Sequence, residues 1–380
     1  MSTDRAHAMK IQDIQIHVVR IPLTSPYVIS RGALNDFTNV VVELTTKSGI
    51  SGFGEAVPVS IIGDPLLYAA VIRTQLAPRL LGRDCADVAT IVDDMLLHCQ
   101  GHVGAVAAID LALWDILGQL QDVPVWKLFA DTSDRQVRID YTLSVDTPAR
   151  MAERAQLMTT GGYGGVVVKV PCRYIGEDVA RVRAVRRAIA PAASLRVDCN
   201  GGYKREDAIA FLRSLEDLDI EFVEQPVAAA DLEGMAACRG RGIAIAADES
   251  LNTPQDALAL VRAKACDVMN VKVPKAGGLY QAKKVADLAA AEGMPLVIGG
   301  GLAFGISRFA SLHLAFASPA AAGICHQGPG PASQALSDDI TVPFLTPDWL
   351  RQSSRLAKSV AGPGMGFEID RNKLDHYRLN

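Results

Sequence analysis

Over residues 11–19, and again over 40–44, apolar β-branched residues alternate with polar ones, and Ser51-Gly52-Phe53-Gly54-Glu55 resumes a strand-like pattern after a turn. A period of two with one apolar face predicts an antiparallel sheet. From Leu66 to Gln121 the apolar spacing changes to three and four, which predicts helices, and the stretch from Ala105 to Leu117 is apolar enough to be packed on most sides. Beyond Asp134 short apolar runs alternate with amphipathic segments: 137–141, 165–170, 194–197, 220–223, 243–247, 268–271, 295–298 and 323–325. Their spacing of roughly 25 residues is that of repeated βα units, and eight such strands close a barrel. The expected fold class is therefore α/β: a modified (β/α)₈ TIM-type barrel over 131–350, behind an α+β N-terminal capping domain over 9–130. The tail, 351–380, is surplus to the barrel and is expected to return to the cap and complete it.

The bulk properties fit this outline. A chain of 380 residues accommodates a barrel of about 250 plus a smaller domain. A formal net charge of −4, with no stripe of lysine and arginine, argues against nucleic acid as a partner. The seven cysteines are scattered and form no CxxC pair, as expected of reduced thiols in a cytoplasmic protein. No uninterrupted apolar run approaches the roughly 18 residues of a membrane span. The residues before Met9 read as an extension or an alternative start without function.

In a parallel barrel the functional face lies at the carboxyl ends of the strands. Here strand two ends in Lys169, strand three in Asp198, strand four in Glu224, strand five in Asp248 and strand six in Lys272. One charged residue at a strand end needs no functional explanation. A run of Lys, acid, acid, acid, Lys does, because three converging carboxylates repel unless a cation sits among them. Oxygen ligands without cysteine or histidine describe a hard-ion site, Mg²⁺ first and Mn²⁺ as a substitute, with Asp198, Glu224 and Asp248 as ligands. The open coordination positions suit a small carboxylate substrate whose charge grows into an enediolate. Strands two and six are four apart in a ring of eight, which places Lys169 and Lys272 on opposite sides of that substrate as acid and base.

These residues stand in motifs that resemble the enolase superfamily, in particular its muconate lactonizing enzyme subgroup in the mandelate racemase/muconate lactonizing enzyme family. The motifs are Gly52-Phe53-Gly54-Glu55-Ala56-Val57-Pro58, Ile109-Asp110-Leu111-Ala112-Leu113-Trp114-Asp115, Val197-Asp198-Cys199-Asn200-Gly201-Gly202, Phe222-Val223-Glu224-Gln225-Pro226, Ala247-Asp248-Glu249-Ser250, and Asn270-Val271-Lys272 with Gly277-Gly278. The resemblance implies the same metal ligands and the same two lysines. It further implies metal-adjacent roles for Asn200 and Glu249, and cap loops near 26–32 and 57–62 that close over the substrate, with Tyr27 a candidate contact. It also implies a homo-oligomer, since relatives are commonly symmetric assemblies.

Where the family usually has Lys-x-Lys at strand two, this chain has Val167-Val168-Lys169, and at strand eight Cys325-His326-Gln327 lacks the acid that dipeptide epimerases use to hold an ammonium group. His326 is a candidate substrate-binding group. Gly300, within Gly299-Gly300-Gly301, lets substrate approach the backbone or serves a tight turn; Lys275 reads as a solvated helix-start residue, and Cys199 as packed behind its strand. The expected reaction is racemisation or epimerisation of an amino-acid derivative or proline-like acid. Cycloisomerisation of a muconate-type diacid and dehydration of a hydroxy acid use the same groups. A Schiff-base lyase or a silent binding scaffold leaves the acids unexplained.

Overall fold

The computed structural model describes residues 8–29, 32–58, 64–99, 101–130, 139–321, 336–345 and 360–379. It opens with a three-stranded antiparallel sheet, β1 (Ile11–Ile29), β2 (Gly32–Thr46) and β3 (Ser51–Ala56), in the order β1-β2-β3. β1 runs ten residues past the expected end at Val19, and Tyr27 pairs with Leu34 where a loop was expected. Pro22 and Pro26 interrupt the sequence pattern there. They are tolerated because β1 is an edge strand, whose outward N–H groups make no ladder bond, and because its register with β2 shifts between Pro22 and Tyr27.

Helices Pro65–Val71, Ala77–Leu80 and Val88–His98 (α1 to α3), with a π-helical turn at Ile72–Leu76, cover this sheet, and α4 (Val103–Leu120) lies against β3. At Gly54 a Cβ would fall 1.7 Å from the carbonyl oxygen of Ala108, so only glycine lets strand and helix backbones come this close. α4 is the one described helix long and apolar enough to cross a membrane, and 78% of that stretch is buried within the fold.

Seven parallel strands follow in sequential order: β4 (Asp140–Leu143), β5 (Gly165–Lys169), β6 (Ser194–Asp198), β7 (Phe222–Glu224), β8 (Ala244–Ala247), β9 (Val268–Val271) and β10 (Leu296–Ile298). Of the expected first strand, 137 and 138 lie outside the described residues and the strand is described from Asp140, and the expected eighth, 323–325, also lies outside the described residues. Crossover helices follow the strands: Pro148–Thr160, Ile175–Ala188, Arg205–Arg213, Leu232–Cys238 and Pro254–Ala263 (α5 to α9), a single turn Val273–Ala276 (α10), then Leu279–Ala291 and Gly305–Ala317 (α11 and α12). Several start at caps legible in the sequence, including Thr147 and a Thr253/Asp256 capping box.

The two-residue period of the strands sorts their side chains. Phe222, Ala246, Val268 and Val297 fill the barrel interior, while Val223, Ile245, Met269 and Ile298 pack outward under the helices. Below Asp198 on β6, the fully buried Arg196 closes the far end of the barrel through Asp140 (2.5 Å) and Glu221 (3.1 Å).

Buried carboxylates that accept backbone N–H groups fasten the helix α4 to the barrel and to the chain's last segment. Asp110 on α4 accepts from Leu279 and, at 3.2 Å, from Tyr280, at the start of α11. Asp115 accepts from Phe53 (3.1 Å) on β3 and from Met365 (2.9 Å) in the chain's last segment. That segment ends in Arg371–Tyr377 (α13), where Arg371 pairs with Glu43 at 2.5 and 2.7 Å and the Leu379 N–H donates to Val18 O at 2.8 Å. Burial pushes the Asp110 carboxyl up to about 7, against the N–H donors from Leu279, Tyr280 and Trp114 that favour its anion.

The folded chain therefore holds this proton more tightly than the unfolded chain does, and the associated stability is lost as pH rises from about 4 to about 7, by at most about 4 kcal/mol. Thermal midpoints should decline more steeply between pH 5 and pH 8 in the wild type than in Asp110→Asn. Parallel declines would remove Asp110 from that account.

Candidate active site

The carboxyl ends of β5 to β9 bring the expected groups together. In register, Lys169 stands opposite Asp198 and Asp198 opposite Glu224. The Lys169 ammonium donates to Asp198 Oδ2 at 2.6 Å and to Asn200 Oδ1 at 2.8 Å. Asn200 adopts a left-handed φ of 45°, and its amide reaches both Asp198 Oδ2 and Glu249 Oε1 at 3.1 Å. It thus links the strand-two lysine, the strand-three acid and the acid beside strand five.

On the other side, Lys272 pairs closely with Asp248 Oδ2, while Lys275 reaches Asp248 Oδ1 at 2.7 Å and also the Asp248 carbonyl oxygen. Lys275 is not the solvated residue its position suggested. Only 11% of its side chain is exposed, because the single turn α10, started by Pro274, swings it back under the strand ends. Glu224 lies between these clusters, fully enclosed, with Oε1 accepting from Asn270 at 2.9 Å.

Burial, then the neighbouring charges of Asp198 and Asp248, push the Glu224 carboxyl well above the usual carboxylate range. Glu249 is raised too, by burial and by the same two acids. Burial also opposes the Asp248 charge, but Lys272 and Lys275 overcome it and hold that carboxyl far down. Burial likewise opposes the Lys272 charge, and the field of Asp248, Glu224, Glu249 and Asp198 overcomes it, keeping the ammonium protonated.

As they stand, no three carboxylate, thiolate or imidazole groups among the described residues converge into an ion cage; ammonium groups occupy the faces of Asp198 and Asp248. The donor set nonetheless suits a hard cation. Its oxygens are carboxylates, and Glu249 Oε2 is buried without a hydrogen-bond partner among the described residues.

Gln225, quoted above only within a motif, proves to build the site. Its Oε1 accepts from the N–H groups of Asp248 (3.0 Å) and Ser250 (3.1 Å), and its Nε2 donates to Ser250 Oγ at 2.7 Å. Its left-handed φ of 39° turns the chain at the end of β7, and the buried amide then fixes the start of the Asp248-Glu249-Ser250 segment.

Gly299 has a different reason from either of those offered for the triple glycine. None of Gly299, Gly300 and Gly301 has a positive φ, and a Cβ at Gly299 would lie 2.8 Å from Lys272 Cγ and 2.3 Å from Asn270 Oδ1. The glycine leaves room for the lysine stem. Gly300 sits beside it at the same end of the barrel. Cys199 is packed behind its strand. The Tyr27 side chain and His326 lie outside the described residues.

A capped barrel whose mouth carries carboxylates between lysines defines a class of enzymes that move protons next to a carboxylate. Residues 150–373 match the family described as enolase C-terminal domain-like, and residues 11–130 match the mandelate racemase/muconate lactonizing enzyme N-terminal domain. The chain belongs to that family, within the enolase superfamily, and is an isomerase. It is 31% identical over 371 residues to an N-succinyl-L-Arg/Lys racemase of Bacillus cereus, across 96% of this chain and 97% of that one. It is 28% identical to a chloromuconate cycloisomerase of Delftia acidovorans, across 97% and 99%. Among solved structures, a dipeptide epimerase from Enterococcus faecalis complexed with Mg and L-Leu-L-Tyr superposes with a TM-score of 0.85 at 27% identity, covering 95% of this chain and all of that one.

Proposed function

We propose that this chain inverts the α-carbon of an N-substituted amino acid, or of a proline-like acid, by two-lysine proton transfer. The observation that carries the reading is the placement of one lysine–aspartate pair, Lys169 with Asp198, and another, Lys272 with Asp248, on either side of the buried Glu224. Asp198, Glu224 and Asp248 would hold Mg²⁺, or Mn²⁺ in its place, with Asn200 and Glu249 orienting them. When bound, the cation supplies the positive charge against which a substrate carboxylate can accept the electrons of a broken α-C–H bond.

The chain's own residues do the rest. The carboxylates now satisfied by ammonium would be satisfied by the ion, so the field that keeps Lys272 protonated weakens and one lysine becomes neutral. That amine takes the α-proton from its face, and the opposite ammonium returns a proton to the other face. Gly299 leaves the Lys272 stem free to adjust. The division into a cap at 9–130, a barrel at 131–350 and a returning tail at 351–380 belongs to this reading.

N-succinyl-L-arginine is the first substrate to test, on the strength of the racemase relative. Incubated with the protein and Mg²⁺ in D₂O, it should gain one deuterium at the α-carbon and yield the D-enantiomer, and EDTA should stop both. A panel of N-acyl amino acids, dipeptides and proline derivatives that shows no exchange at all would sink the reading. The full-length likeness to a cycloisomerase supports a second reading. Loss of muconate ultraviolet absorption without change of mass would favour it.

A further inference from the structure

Resting on that reading, we infer that Glu55 of the cap, with Asn39, is a positioning residue for substrate binding, because it fastens the loop that leaves β10 to the root of a cap loop. Glu55 is the penultimate residue of β3, is fully buried and has no lysine or arginine paired with it among the described residues. Its charge rests on N–H donors: Oε1 accepts from Phe304 N and from Asn39 Nδ2, both at 2.7 Å, and Oε2 accepts from Ser307 N at 3.0 Å. The Asn39 amide also donates to Leu302 O at 2.9 Å.

A cap for α12 alone would come more simply from a short polar side chain just before the helix. Phe304 occupies that position, and the acceptor comes from another part of the fold, 249 residues away. The clamp therefore does more than end a helix. It spans residues 302–307, and two residues beyond Glu55 the Val57 side chain lies 4.0 Å from where a Cβ of Gly301 would be. Cap-loop root and barrel loop thus meet as one wall of the mouth.

Gly299, in contrast, is held to the sheet by its own N–H bond to Val271 O at 2.8 Å. The stretch beside Lys272 keeps its place whatever happens at Glu55. The carboxylates lie on β6 to β8, and β10 lies beyond β9 from them. The wall faces the part of the substrate remote from its carboxylate, so its displacement weakens binding and leaves proton transfer largely alone.

The test is steady-state kinetics of Glu55→Gln with N-succinyl-L-arginine, alongside backbone-amide hydrogen exchange read by mass spectrometry. KM should rise at least tenfold with kcat within threefold, and amides of 301–307 and of Val57 should exchange at least tenfold faster while 279–291 stay as in the wild type. Asn39→Ala, which keeps the α12 cap, should raise KM about threefold and carries the test if Glu55→Gln does not fold. Unchanged KM in both variants, a fall in kcat at constant KM, or faster exchange confined to 304–307 would overturn the proposal. A wild type that neither exchanges nor inverts the probe counts against the proposed reaction instead, and the hydrogen-exchange arm still decides the role of Glu55.

Discussion

Lys272→Ala should lower racemisation by about 10²- to 10⁴-fold while sparing α-deuterium exchange into one enantiomer, and Lys169→Ala should do the same for the other. In the proposed reaction the lysines would approach the substrate from strands β5 and β9, which are separated by three strands. With one lysine gone, the enantiomer whose α-proton faces the surviving amine is still deprotonated. The ammonium so formed exchanges with solvent and returns deuterium to the face it came from, giving exchange with retention. The other enantiomer presents its proton to the missing base and stays unlabelled. Chiral separation and mass spectrometry of both enantiomers in D₂O read this directly. A variant that still racemises, or two variants that favour the same enantiomer, would refute a base on each face. The two losses need not be equal. Lys169 bonds Asn200 and so touches the link to Glu249, whereas removing Lys272 leaves Lys275 on Asp248.

The groups in that experiment were legible in the sequence because a barrel strand has a period of two and a known polarity. Once Phe222 and Val268 point inward, Glu224, Asn270 and Lys272 point inward above them, at the functional end. What stayed hidden depends on partners far away in the chain. Glu55 and Asp110 look like the polar positions of an ordinary strand and helix until their acceptor oxygens meet N–H groups at the starts of α12 and α11, 249 and 169 residues on. Lys275 stands three residues from Lys272, and only the single turn through Pro274 converts that spacing into a shared carboxylate. The need for glycine at 299 is a matter of clearance from Lys272 and Asn270, which no local pattern records. The alternation that marks the first strand stops at Val19, whereas β1 runs on through Pro22 and Pro26 to Ile29, which an edge strand tolerates.

Glu224→Gln should make the metal-free protein more stable and abolish its stabilisation by Mg²⁺. Glu224 is buried between Asp198 and Asp248, with no lysine paired to it directly among the described residues; the described pairs at this mouth belong to its neighbours. Its ionised form therefore bears both desolvation and like-charge repulsion. Glutamine keeps the shape and an acceptor for the Asn270 amide, and removes the charge. Relief of roughly 1–3 kcal/mol would raise the thermal midpoint by several degrees. In the wild type that cost would be recovered on binding a cation, because an ion held by the proposed ligands would relieve the repulsion at Glu224. Saturating Mg²⁺ at 100 times its Kd should add about 2.7 kcal/mol to the wild type and almost nothing to the variant. Thermal midpoints of both proteins, with EDTA and with Mg²⁺, give four numbers. If the variant is the less stable in EDTA, Glu224 is held by something other than its repelling neighbours; if it still gains stability from Mg²⁺, the ion sits elsewhere.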